Sequence, residues 1–279
     1  MSIGARLVNS LRRRIPEPLK LALYGLFAGN MTVRRLAMRT LTNDRDLELV
    51  RAELGRSRSG PWLGFGDGVR TVGSTERVVE IPWTLSRYKA QHRVLDIGTT
   101  FAIPVYVERL LQLGIPDLHG ADIAPYRVRG VNMVQADVRQ LPYPDNHFDL
   151  VLCVSTLEHV GRGDDPFGIS IGEDPETGDL AALQEMSRVT RPTGSILVTI
   201  PFGTPERRPW QRQYDLAGWS ALIDAAGLAP LEQEIFLYDS DDGWALAEDP
   251  AGATGHGYQE LGAPGATGVL CAVLGRETG

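Results

Sequence analysis

From Arg93 onward the chain alternates short apolar runs with longer segments in which apolar residues recur every three or four positions. The short runs, rich in β-branched residues, predict strands over Arg93–Ile97, Leu118–Ile123, Val131–Gln135, Phe148–Val154, Ser195–Ile200, Glu232–Tyr238 and Val269–Leu274. Phe148–Val154 is almost continuously apolar, as a central parallel strand covered on both faces requires. The periodic segments predict helices from Pro104 to about Leu113, from Asp179 to Val189, and from Leu216 to Ala226, the last stopped by Gly227. Strands alternating with helices predict a mostly parallel sheet with right-handed crossovers. Upstream, residues 3–15 and 18–29 have helical spacing, separated by Pro16 and Pro18, and Arg34–Leu54 continues as amphipathic helix up to Gly55. Residues 55–75, rich in Gly, Ser and Arg, read as a linker or mobile loop.

This pattern divides the chain into an N-terminal helical extension or lid over residues 1–60 and an α/β domain over 76–279. Charge sharpens the division. The net formal charge is −7, yet residues 1–45 hold nine Arg or Lys against two Asp or Glu. The acidic balance disfavours a nucleic-acid partner. The basic arm suits a lid or homodimer contact, and contact with an anionic membrane is the lesser reading. The longest apolar stretch near the start, Leu19–Gly29, contains Lys20 and is too short to cross a bilayer, which takes roughly 20 apolar residues. The two cysteines, Cys153 and Cys271, sit in apolar runs and read as buried free thiols. Both features point to a cytoplasmic protein.

In open α/β sheets, ligands bind beyond the carboxyl ends of the strands. The residues just past those ends are therefore the candidates. Past the first expected strand lies Gly98-Thr99-Thr100, where Gly98 permits a tight turn and close approach of a ligand. Past the second lies Asp122-Ile123, 24 residues after Gly98, a spacing at which an acid can accept from ribose hydroxyls. Past the third lies Asp137-Val138, and past the fourth Ser155-Thr156-Leu157-Glu158-His159.

Val94-Leu95-Asp96-Ile97-Gly98 resembles the glycine-rich first motif of the class I S-adenosylmethionine (SAM)-dependent methyltransferases. The segment from Asp137 through Leu141-Pro142-Tyr143-Pro144 to Asp149 resembles that family's stretch after the third strand. Leu157-Glu158-His159-Val160 and Glu185–Gly194, with its Arg191-Pro192 turn, resemble its later segments. The resemblance covers about residues 76–276 and implies a Rossmann-like, mostly parallel seven-stranded sheet flanked by helices. It implies SAM as cofactor, with Asp96 near the methionine ammonium, Asp122 on the ribose, Asp137 and the Val138 amide on the adenine, and Gly98, Ile123 and Ser155 beside them. The family often has glycine at position 100; Thr100 narrows the loop and brings a hydroxyl to it. Glu80-Ile81-Pro82-Trp83, Gln211–Asp215 and Gly243-Trp244 resemble methyltransferases of antibiotic and cell-surface sugar pathways, implying a sugar or glycosylated acceptor.

By this resemblance, His159 and Glu158 stand where the methyl is transferred. A neutral imidazole takes a proton near neutral pH. A hydroxyl acceptor gains more from such a base than an amine does, so O-methylation of a small molecule is the leading expectation and N-methylation the alternative. Trp83, Gln213 and Tyr214 are expected to touch the acceptor, which would enter under the N-terminal helices and the loop from Gly161 to Gly178. Asp164 and Asp165 are the weak candidates for a divalent metal. Two readings of other classes compete. A nicotinamide oxidoreductase is disfavoured because the first turn lacks Gly-x-Gly-x-x-Gly. A non-catalytic SAM-binding or scaffold protein draws its support from Thr100 and the basic arm.

Overall fold

The computed structural model describes residues 44–56, 61–125, 127–162 and 177–277. Its centre is an eight-stranded sheet. The strands that build it are β1 (Arg93–Ile97), β2 (Asp117–Asp122), β3 (Asn132–Gln135), β4 (Phe148–Val154), β5 (Thr190–Phe202), β8 (Leu228–Asp239), β9 (Gly243–Leu246) and β10 (Gly268–Arg276). Their order is β3-β2-β1-β4-β5-β10-β8-β9. The first five run parallel, β10 is antiparallel to both β5 and β8, and β9 is antiparallel to β8. Two short strands, β6 (Glu206–Arg207) and β7 (Arg212–Gln213), pair as a separate antiparallel ribbon. The fold is thus Rossmann-like and mostly parallel. The seven-strand expectation is short by one: β9 adds an eighth strand at the edge, buried at its start, where Trp244 is 4% exposed, and open at its end, where Leu246 is 47% exposed.

Among the described residues the α-helices are α1 (Asp44–Arg56), α2 (Arg77–Ser86), α3 (Pro104–Gln112), α4 (Gly178–Val189) and α5 (Leu216–Ala225). Side chains alternate across a strand, and the sheet divides its core accordingly. Leu95, Ile97, Val151 and Cys153 face α4 and α5, meeting Leu183, Met186, Trp219 and Ile223. Val94, Leu150 and Leu152 face the other way, meeting Val50 of α1, Val78 and Trp83 of α2, and Leu110 of α3. Asp96 shares the Val94 parity, so it points toward α3.

One expectation needs correction. Residues 61–75 are not a mobile linker: Trp62 is 3% exposed, its indole donating to Glu53 Oε2 at 2.9 Å, and the Trp244 amide donates to Thr71 Oγ1 at 2.6 Å. Glu80-Ile81-Pro82-Trp83 forms the middle of α2, the helix before the first strand, with Pro82 inside it. Proline removes a hydrogen bond there, but the burial of Val78, Val79, Ile81, Trp83 and Leu85 holds the helix against the sheet. Of the N-terminal expectations, α1 matches the end of the third helix and packs on α2 and α3. Residues 1–43, and with them the basic arm, lie outside the described residues. No helix among the described residues is long and apolar enough to cross a membrane. Cys153 and Cys271 are buried free thiols.

Candidate active site

A cavity opens at the carboxyl ends of β1, β2, β3 and β4, lined by the turns that follow them and by one face of α2. The chain leaves β1 at Gly98, whose φ of +80° is left-handed and whose missing side chain matters: a Cβ there would lie 2.4 Å from Thr156 Oγ1. Thr99–Phe101 makes one tight helical turn, and Pro104 then opens α3. The turn is tied to β2 by Asp122, which accepts the Thr100 amide on Oδ2 and the Ala124 amide on Oδ1, both at 2.9 Å. Burial raises the Asp122 carboxyl above its usual value, against the pull of those two amides.

Asp96 is 1% exposed and lines the cavity. Its Oδ1 accepts the Tyr106 hydroxyl from α3, while Oδ2 is buried with no hydrogen-bond partner. Burial pushes its carboxyl up to about 7, with the Tyr106 bond opposing. An orphaned carboxylate oxygen in a closed wall is costly unless a ligand completes it, and a cationic ammonium is the matching partner. Together with the cradle at Gly98, this fits the methionine end of SAM. Ile123 and Val138 supply apolar wall further along. Asp137 lines the same end with its carboxylate engaged by Arg139, through the backbone amide at 2.9 Å and the guanidinium at 2.7 Å. Burial pushes the Asp137 carboxyl up, but the Arg139 bonds prevail and hold it below the usual range.

At the other end, Ser155 leaves β4 with φ +43°, rare for a side chain-bearing residue and a mark of local constraint. Its amide donates to Thr199, and its hydroxyl donates to Glu158 Oε1 at 2.6 Å. Glu158 is 1% exposed, its Oε2 has no partner, and burial pushes its carboxyl up to about 7. His159 lines the cavity beside it. Its Nδ1 lies 2.6 Å from the Trp210 carbonyl, and its Nε2 lies 3.7 Å from Glu158 Oε1. A carbonyl only accepts, so Nδ1 carries the hydrogen and Nε2 is the basic nitrogen of the neutral ring.

Of the sequence candidates, Asp96, Gly98, Asp122, Ile123, Asp137, Val138, Ser155 and His159 all line this one cavity. Thr100 and Glu158 stand directly behind it. The acceptor candidates do not reach it. Trp83 has 0% exposure, its indole donating to Glu234 and its ring covered by Arg87 at 3.7 Å. Tyr214 donates its hydroxyl to Asp179 at 3.0 Å, and Gln213 donates to the Thr204 and His256 carbonyls. None of the three lines the cavity: the Trp83 indole, the Tyr214 hydroxyl and the Gln213 amide nitrogen are each spent on an internal partner, while Gln213 Oε1 is buried with no hydrogen-bond partner. Asp164 and Asp165 lie outside the described residues, and no group of three or more His, Cys, Asp or Glu among the described residues is placed to hold a metal. Sequence reasoning missed Arg77 and Ile81, which share a face of α2 at i, i+4 spacing, and Tyr106 on the first turn of α3. Pro82 hid the first pair; for Tyr106 the only signal was its place just after the Pro104 helix start.

Comparison with known proteins agrees with this geometry. Residues 95–198 match the family model described as "Methyltransferase domain". The ubiquinone/menaquinone biosynthesis C-methyltransferase UbiE of Shewanella frigidimarina is 29% identical over 150 residues, 54% of this chain and 51% of that one. The UbiE of Shewanella sp. strain W3-18-1 is 30% identical over 160 residues, covering 57% and 52%. The chain therefore spans about half the length of the curated relatives it matches. A SAM-dependent methyltransferase of known structure from Archaeoglobus fulgidus is 16% identical, covering 73% of this chain and 95% of that one at a TM-score of 0.49. With the family match spanning β1 to β5, and the ordered motifs meeting around one cavity, the chain carries a class I SAM-dependent methyltransferase domain.

Proposed function

We propose that residues 76–279 transfer the methyl group of SAM to a hydroxyl of a small molecule, with His159 as the proton acceptor. The observation that carries this reading is the bond from His159 Nδ1 to the Trp210 carbonyl, which fixes the tautomer that leaves Nε2 basic at the cavity wall. SAM supplies an electrophilic methyl on a positive sulfonium, so the protein's work is alignment, exclusion of water and removal of one proton. Asp96, Gly98 and Asp122 hold the cofactor. Val154 and Val160 close apolar wall beside His159. As Nε2 gains its proton, the Glu158 carboxyl 3.7 Å away favours the imidazolium when it is ionised, above about pH 7. Sugar specificity has lost its carriers, since Trp83, Gln213 and Tyr214 face inward, and the acceptor is best described as a hydroxyl compound of unrestricted skeleton.

One observation favours a second reading: the curated relatives are C-methyltransferases. A base at His159 serves that chemistry too, because deprotonating an enolic hydroxyl makes the neighbouring carbon nucleophilic. The test is transfer of tritium from methyl-labelled SAM to a panel of hydroxyl, enol and amine compounds, with the methylated atom located by NMR. Methyl on oxygen, lost in His159→Gln, supports the first reading. Methyl on carbon supports the second, and methyl on nitrogen that survives His159→Gln contradicts both.

A further inference from the structure

Two buried polar residues interrupt apolar runs. Thr199 breaks the β5 run Ile196-Leu197-Val198-Thr199-Ile200, and Glu80 breaks Val78-Val79-Glu80-Ile81 on α2. Both are at 0% exposure. A buried hydroxyl or carboxyl costs stability unless it is bonded. These two satisfy each other across the gap between sheet and helix: Thr199 Oγ1 donates to Glu80 Oε1 at 2.9 Å, and Glu80 Oε2 accepts from Arg77 on the cavity wall. Departures from the local pattern concentrate at functional sites.

Thr199 Oγ1 also accepts. The Ser155 amide donates to it at 3.0 Å and to the Thr199 carbonyl at 3.1 Å. Any residue at 199 offers the carbonyl; only a hydroxyl side chain offers the second bond. Ser155 needs holding, because its φ of +43° is one that a residue with a side chain keeps only when its surroundings impose it. Held so, its hydroxyl donates to Glu158 Oε1, and that oxygen lies 3.7 Å from His159 Nε2. A polar bridge therefore runs from Arg77 through Glu80, Thr199, Ser155 and Glu158 to His159, and both its ends line the same cavity. Burial pushes the Glu158 carboxyl up, and the Ser155 bond is the largest influence opposing it. Arg77 also favours the ionised carboxyl, while Glu76 and Glu80 disfavour it.

We infer that Thr199, tethered by Glu80, is a positioning residue: it holds Ser155 in the left-handed turn that keeps the Glu158 carboxyl beside His159. This rests on the reading of His159 as the proton acceptor and adds to it a buried support reaching back to α2.

The test is a pH titration of the histidine rings by nitrogen NMR on the full chain, with His159→Gln identifying the His159 signals. Thr199→Val keeps the side chain's shape and removes its hydroxyl; Thr199→Ser keeps the hydroxyl. Without the Ser155 bond the Glu158 carboxyl ionises less readily beside His159. The His159 titration in Thr199→Val should therefore move to lower pH by about half a pH unit or more, a roughly threefold loss of proton affinity. Thr199→Ser should titrate as the wild type does. A lower melting temperature in Thr199→Val with the His159 titration unmoved assigns the hydroxyl to packing and overturns the inference, as does an equal shift in Thr199→Ser. If Thr199→Val does not fold, Ser155→Gly cuts the same bridge while relieving the left-handed strain. It should give the same shift, and an unmoved titration there overturns the inference too. Methyl transfer that survives His159→Gln overturns the proton-acceptor reading instead, and is seen in the activity assay whatever the titration shows.

Discussion

The hydroxyl of Ser155 donates to Oε1 of Glu158 at 2.6 Å, joining a cavity-lining side chain to a carboxyl that is 1% exposed. Burial pushes the Glu158 carboxyl up to about 7, against an ordinary value of about 4.3. Because the folded-state value is raised, the unfolded chain gives up its proton first as pH rises. Stability from this group is full below about pH 4 and is lost as pH climbs to about 7. Glu80, buried near Arg77, shifts the same way. Glu158→Gln should therefore flatten the fall in melting temperature between pH 5 and 8. Identical slopes in wild type and variant contradict the burial argument.

Asp96 gives a second pH dependence, of opposite sign, in binding. Its carboxyl is pushed up to about 7 in the free protein, whereas a ligand ammonium pairs with the ionised form. SAM affinity should rise from pH 6 to pH 8, by up to about tenfold per unit below the shifted value, and level off above it. Calorimetry in buffers of different ionisation enthalpy should show proton release on binding at pH 7. Affinity that is flat across this range places the ammonium elsewhere.

Gly98→Ala meets two obstacles at once, a φ of +80° and a Cβ 2.4 Å from Thr156 Oγ1. The expected cost is about 1–3 kcal/mol of stability with weakened cofactor binding. Adding Thr156→Ala removes the two closest contacts but leaves Cβ of residue 156 at 3.2 Å and the backbone strained, so thermal unfolding of the double variant should show partial recovery. Full recovery, or no loss in the single variant, argues against the turn geometry.

What was legible in the sequence follows the strength of the local pattern. The strands β1 and β4 could be read because short apolar runs, covered on both faces, leave no other way to bury Val94, Leu95, Leu150 and Val151. The cavity wall around Asp96, Gly98, Asp122 and Asp137 was legible because each stands at or just past the carboxyl end of a strand, so order along the chain is order around the cavity. The acceptor end was not, because its walls come from elements whose local signals mislead. Pro82 reads as a break but sits inside α2, held there by tertiary packing, and this hid Arg77 and Ile81. Trp83, Gln213 and Tyr214 look like binding residues by type, yet their partners Glu234, His256 and Asp179 are distant in sequence. The short β6–β7 ribbon has no apolar period to announce it.

His159→Gln should lower kcat on an active hydroxyl acceptor by roughly 10²–10⁴-fold while SAM affinity changes little, the range for loss of a general base. The acidic limb of the kcat profile should disappear with it. A variant that keeps its rate, or that fails to bind SAM, assigns the imidazole to structure.

The central claim is that the cavity beyond β1 to β4 holds SAM through Asp96, Gly98 and Asp122. Calorimetric titration of the purified protein with SAM and with S-adenosylhomocysteine, beside Asp122→Ala, tests it most directly. The account predicts saturable binding of both ligands and a loss of about tenfold or more in the variant, since a charged hydrogen-bond acceptor is worth about 1.5–3 kcal/mol. No binding of either ligand to well-folded wild-type protein, or equal binding by Asp122→Ala, contradicts it.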